Sequence, residues 1–169
     1  NFDKVVMTRS VRSAAADLLS RIIDAETGQR GYLLTRDQRY LEPYREQVGA
    51  IAPRLEQLQV AMDQMMGGRV DLSELSQRVT AKTAELDSTV SLALDGQYDA
   101  AVAEVAGGAG LALMDEIRSQ LGTILDQTEA QLRAGIERQE SIGSTLRHVT
   151  VVGAPVSYTH LTLPTICSV

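Results

Sequence analysis

Residues 25–47 read AETGQRGYLLTRDQRYLEPYREQ. Ala25, Gln29 and Tyr32 continue a series of positions that starts at Val11 and advances by alternating steps of three and four, the mark of one helix face. A second series of the same kind sets out from Leu41 and Tyr44. Between them Thr35-Arg36-Asp37 supplies a turn, with Asp37 as N-cap of the second helix. One helix therefore ends and another begins inside this stretch, and the two must run side by side. Gly28 and Gly31 fall within the first of them, where glycine costs about 0.5–1 kcal/mol relative to alanine. Gly28 borders the core face, so a missing side chain there lets a neighbouring helix approach closely or a bulky tyrosine lie across it. Gly31 either widens that notch or serves as a left-handed C-cap, and Leu33-Leu34 after it favour the notch.

The pattern extends outward in both directions. The first seam is Val11, Ala15, Leu18, Ile22, Ala25, Gln29, Tyr32, and the second is Leu41, Tyr44, Val48, Ile51, Leu55, Leu58, Met62, Met65. The third, Leu72, Leu75, Val79, Leu86, carries Lys82 where an apolar residue is expected. The fourth runs Met114, Ile117, Leu121, Ile124, Leu125, Leu132, Ile136 and then Leu146. Gly67-Gly68 closes the second helix and Asp71 caps the third. Gly96 and Gly107 to Gly110 separate the third from the fourth, with room for a short helical piece around Tyr98 to Val105. Pro43 is tolerated early in the second helix, whereas Pro53 falls inside it and should kink it. Short connections make sequential helices antiparallel neighbours. The expected fold is all-α: an antiparallel up-down-up-down four-helix bundle with a long fourth helix. That helix can run from Leu111 to about Val152, roughly 60 Å at 1.5 Å per residue, and the first can fill Lys4 to Leu34, roughly 45 Å.

Composition agrees. Aromatic residues are 4% of the 169, with no Trp and one Phe, so aliphatic residues and alanine must fill the core. A net charge of −6 argues against a phosphate-binding surface, and so against nucleic acid as partner. No apolar run approaches the roughly 18 residues of a membrane span. The chain has neither an initiator Met nor a signal-peptide pattern and is expected to be a piece of something longer. The first helix would start and the fourth would end at one pole, where Val149-Thr150-Val151-Val152 is apolar, as suits two helices projecting toward a membrane.

Residues 1–152 are read as the helical bundle and residues 153–169 as a tail foreign to it. From Ala154 the text is APVSYTHLTLPTICSV, free of Asp, Glu, Lys and Arg and without helical spacing, as in translated adapter or vector sequence. His160 and Cys167 are set aside with it. The remaining histidine, His148, has no second ligand at metal-binding spacing, and no glycine loop follows a strand to cradle phosphate. No catalytic residue, cofactor or metal is expected; the fragment is not an enzyme.

Glu26-Thr27-Gly28-Gln29-Arg30-Gly31-Tyr32-Leu33-Leu34-Thr35 resembles the most recognisable segment of the third type of CHASE domain, the cyclase- and histidine-kinase-associated sensory extracellular family. Tyr40-Leu41-Glu42-Pro43-Tyr44 matches the family's next segment, and Lys82-Thr83-Ala84-Glu85-Leu86 and Met114-Asp115-Glu116-Ile117-Arg118 agree as well. The likeness covers essentially residues 5–152. It implies an extracytoplasmic (periplasmic) helical bundle between two flanking transmembrane helices, ahead of an output module such as a histidine kinase, a nucleotide cyclase or a chemoreceptor domain. As a sensor input domain the bundle is expected to pass an unknown small-molecule or protein stimulus through movement of the first helix against the fourth, since packed helices exchange between discrete arrangements. Such sensors work as homodimers. The alternative is a structural or oligomerising bundle without a small-molecule ligand.

The candidate site follows from where the charged and aromatic groups fall. Glu26 and Arg30 stand at i,i+4 in the favourable order, and Asp115 and Arg118 lie at a similar depth in the fourth helix. These four either close a charge network or leave an arginine fork free for an anion. Tyr32, Tyr40 and Tyr44 cluster at the same pole, as core or as pocket lining. The candidate ligand-binding residues are therefore Arg30, Tyr32, Tyr40, Tyr44 and Arg118. Lys82 is expected to pair with Glu85 or Glu129, or to snorkel to the edge. Glu26, Gly28, Gly31, Lys82, Glu85, Asp115 and Glu129 are read as structural or signalling positions.

Overall fold

A computed structural model describes the backbone of residues 2–153 and the side chains of residues 2–136. These residues are all-helical: α1 (Phe2–Thr35), α2 (Leu41–Met66), α3 (Ser73–Leu94), α4 (Tyr98–Ala106) and α5 (Ala109–Gly153). A single 3-10 turn, Gln38–Tyr40, joins α1 to α2. The short piece around Tyr98 is thus a helix in its own right. The chain divides into two units, residues 1–130 and 131–169. The tail from residue 154, with His160 and Cys167, lies outside the described residues, as do the side chains of Leu146, His148 and Val149 to Val152.

The helix ends have local causes. Arg36 takes φ 59°, and its N–H donates to the Tyr32 carbonyl at 2.7 Å, ending α1. Asp37 then accepts the Arg39 N–H at 2.9 Å, which starts the 3-10 turn. At the end of α2, Gly67 adopts φ 72°, a left-handed conformation that glycine reaches without a side-chain clash. Asp63 finishes this turn from below. Its carboxylate accepts the Val70 N–H at 2.8 Å and the Gln59 amide at 2.7 Å, folding the connection back on α2. Asp71 accepts the Ser73 N–H at 2.9 Å and so caps α3 from one position before its N-cap residue.

The core of the first unit is built from the seams. All seven first-seam residues are buried, including the polar Gln29. Leu41, Tyr44, Ile51, Leu58 and Met62 are buried on α2, with Val48, Leu55 and Met65 half-buried beside them. Leu72, Leu75, Val79, Lys82 and Leu86 are buried in the third seam, and Met114, Ile117, Leu121 and Ile124 on α5. In the second unit the series thins: Leu132 is half-buried and Ile136 exposed.

Contacts fix neighbours. Thr8 lies by Met65, Asp17 pairs with Arg54, Arg21 donates to Gln47, and Gly28 sits against Tyr44, so numbers rise on α1 as they fall on α2. Arg78 pairs with Glu116 at 2.7 Å, and Glu85 reaches Gly110, linking α3 to α5. Arg12 pairs with Glu129, and Thr128 Oγ1 lies 3.8 Å from Met62 Sδ, which bring α5 to α1 and α2.

Candidate functional site

The glycine notch is real. A Cβ on Gly28 would stand 3.0 Å from Tyr44 Cβ and 3.2 Å from the Tyr40 carbonyl oxygen, so α1 and the start of α2 touch here almost backbone to backbone. A Cβ on Gly31 would stand 2.5 Å from the Tyr40 ring, which lies across that residue. Gly31 is inside α1 and has no positive φ, so it is a seat for Tyr40 and not a cap.

Three tyrosines meet at this end of α1, in different roles. Tyr44 is buried and its hydroxyl donates to Asp87 Oδ1 at 2.6 Å, tying α2 to α3. Burial first, and then the Asp87 carboxylate, pushes the Tyr44 phenol far above its ordinary range, so it remains a donor. Tyr32 is buried and its hydroxyl is 3.3 Å from that of Tyr98 on α4, a bond that also raises the Tyr32 phenol. Tyr40 is 43% exposed and belongs to the rim. The Arg36 guanidinium completes the group 4.2 Å above the Tyr98 ring, a cation–π distance. Tyr98, Arg36 and Asp87 escape sequence reading. The available signal was the position of Tyr98 shortly after Gly96, at the head of a short helix.

Beneath the tyrosines lies the most buried charge in the first unit. Lys82 is 1% exposed and sends its ammonium to Glu85 Oε2 at 2.8 Å and to Glu26 Oε1 at 3.7 Å. Arg30, half exposed, holds the same Glu26 oxygen at 2.7 Å from the outside. Two acids and two bases thus close a neutral cluster across α1 and α3, as buried charge requires. Of the partners expected for Lys82 it takes Glu85, and the charge network expected at the Glu26 level has a different membership. Asp115 pairs with Arg118 at 3.1 Å on the exposed face of α5 and does not join Glu26 and Arg30. Residues three apart on a solvated helix face satisfy each other before they reach a neighbour. Glu129 pairs with Arg12 and not with Lys82, because it lies at the far end of the unit.

Gln29 adds an unusual element, since its buried amide nitrogen has no hydrogen-bond partner among the described residues. Among the described residues no cluster of His, Cys, Asp or Glu has the size to hold a metal ion. Among the described residues there are surface grooves of about 430 to 760 Å³ whose linings do not include Arg30, Tyr32, Tyr40, Tyr44 or Arg118. One, of about 490 Å³, opens beside the α1–α2 turn between Gln38, Leu41, Glu42, Arg45 and Leu94. No helix among the described residues is long and apolar enough to cross a membrane.

Comparison with protein families matches the chain to the CHASE3 domain over residues 3–138. No curated protein and no solved structure matches the chain.

Proposed function

The chain belongs to the CHASE3 domain family, a family of extracellular sensory domains of signalling receptors, and from that premise we propose that it is the extracytoplasmic input domain of a transmembrane receptor of the histidine kinase, nucleotide cyclase or chemoreceptor class. The observation that carries the reading is the family match, which takes in α1 to α4 and the first part of α5. In this proposal α1, α2, α3 and α5 pack as an antiparallel up-down-up-down four-helix bundle. Support comes from the opposed numbering of α1 with α2 (17 with 54, 28 with 44) and of α3 with α5 (78 with 116, 85 with 110). The stimulus acts at the end where α1 meets α2 and is passed on by movement of α1 against α5, since packed helices exchange between discrete arrangements. The domain works as a homodimer in the parent receptor.

The input site in this reading combines the exposed Arg30 and Tyr40 and Arg36 stacked on Tyr98, with the buried Tyr32 and Tyr44 beneath them. The half-exposed Arg30 guanidinium, with the Arg36 guanidinium over the Tyr98 ring, suits an anionic or aromatic acid. Arg118, paired on the surface of α5, is the weakest member. A structural bundle without a small-molecule ligand is the second reading, favoured by the fact that both Arg30 and Arg118 already have carboxylate partners.

Thermal unfolding against a panel of small anions, amino acids and aromatic acids separates the two. A ligand at about 100 times its Kd adds roughly 2.7 kcal/mol, and the sensor reading expects a raised midpoint that Arg30→Ala abolishes while the fold survives. A raised midpoint insensitive to Arg30→Ala and to Tyr40→Ala would place the site elsewhere.

A further inference from the structure

A buried cation on an apolar seam has only a few places where it can be tolerated, and Lys82 has one. It sits between Glu85 on its own helix and Glu26 on α1, at 2.8 and 3.7 Å. One turn from Glu26 along the same side of α1 stand Ile22 and Arg30. If α1 slipped by a turn against α3, Lys82 would meet either an apolar side chain or a like charge. Both take the second carboxylate from a buried ammonium and leave it only Glu85 of its own helix, an unfavourable exchange.

The opposite side of the cluster is equally particular. The Glu85 carboxylate lies against the first turn of α5, and a Cβ on Gly110 would come within 2.8–2.9 Å of its oxygen and carbon atoms. Gly110 is therefore the gap that admits the carboxylate while Lys82 holds it. One turn further along α5 are Leu113 and Met114, whose side chains would fill that gap. A slip of α5 would press the carboxylate against hydrocarbon or pull it from Lys82.

We infer that Glu26, Lys82, Glu85 and Gly110 form a register lock, which fixes α1 and α5 axially through α3 and forbids a one-turn slide of either. This is a property of the packing and holds whether or not the domain senses anything. Where it does sense, the lock leaves α1 and α5 free to tilt or turn about the Lys82 level but not to slide past it by a turn.

The test is a distance measurement on the full chain with Cys167→Ser. Nitroxide labels are placed at two exposed positions set far apart along the axes, Arg9→Cys on α1 and Ser119→Cys on α5, so that an axial slip changes their separation almost in full. The parent chain should give one narrow distance. Lys82→Met with Glu85→Gln removes both buried charges at nearly constant volume. It should add a second component, at least a tenth of the population, displaced by about 5 Å, one helical turn. A folded double variant with the single parent distance would overturn the lock, even if its midpoint were lower, because loss of stability alone is what a merely structural cluster gives. If that variant fails to unfold cooperatively, Glu26→Gln decides in its place. It keeps the Lys82–Glu85 pair and neutralises the α1 carboxylate that Lys82 shares with the half-exposed Arg30, with the second component supporting the lock and its absence overturning it.

Discussion

At the scale of the residue, the two glycines of α1 answer to different neighbours and should respond differently to substitution. At Gly28 the obstacle is backbone and Cβ of α2, which cannot move without moving the helix. Gly28→Ala gains up to about 1 kcal/mol of helix propensity but meets an overpacking cost of about 1–3 kcal/mol, so a net loss near 1 kcal/mol is expected. At Gly31 the obstacle is the half-exposed Tyr40 ring, which can swing outward. Gly31→Ala should therefore be neutral within about 0.5 kcal/mol. Urea unfolding of both variants checks the contrast; equal losses would contradict it. Tyr44 gives a second residue-scale expectation. Its folded pKa lies above that of a free phenol, so its contribution is fully present below about pH 10 and is lost as pH rises beyond. Tyr44→Phe should cost about 0.5–1.5 kcal/mol at neutral pH and should blunt the alkaline loss above pH 10. An unchanged alkaline limb would show that Tyr44 is not its source.

The scale of the element separates what patterning reveals from what it hides. The four seams were legible because burial on a helix repeats every three to four residues, and even Gln29 and Lys82 kept their seam places inside the core. The turns were legible too, because Gly67 and Asp71 act on backbone within two or three residues, whereas Asp37, expected to cap the second helix, caps the 3-10 turn before it. The acid limb of stability should reflect the aspartates at these turns. Asp37, Asp63 and Asp71 are held below the usual carboxylate range by the hydrogen bonds they accept, so their contribution is present above about pH 4 and fades as pH falls through their lowered values. Asp63→Asn should lower the midpoint at pH 7 and flatten its fall between about pH 4 and 2; a parallel acid limb would contradict this. Charge pairing was only half legible. Spacing within one helix gave Glu26–Arg30 and put Glu85 within reach of Lys82, whereas Asp115 and Arg118, expected to join the Glu26 level, pair with each other on α5. Pairing between helices depends on axial register, which no single-helix period encodes, and so the Glu129 partner and the joining of Lys82 to Glu26 were out of reach.

For the whole molecule, family membership and the polar cluster bear on one question, whether α1 and α5 are coupled for a purpose. A chain cut after Gly153 should keep the unfolding midpoint of the full chain, since the segment beyond lacks the spacing and charges of the rest; a fall would make that segment part of the fold. The central claim is that this domain controls an output, and it is tested most directly by joining residues 1–153 between two membrane helices ahead of a reporter histidine kinase. Autophosphorylation is then compared for the parent sequence, Gly28→Ala, and Lys82→Met with Glu85→Gln, each shown to be folded. A sensory input domain predicts that at least one of these internal changes, none of which touches the kinase, shifts output threefold or more. Identical output from all three folded forms would contradict it, and would leave the bundle as a spacer.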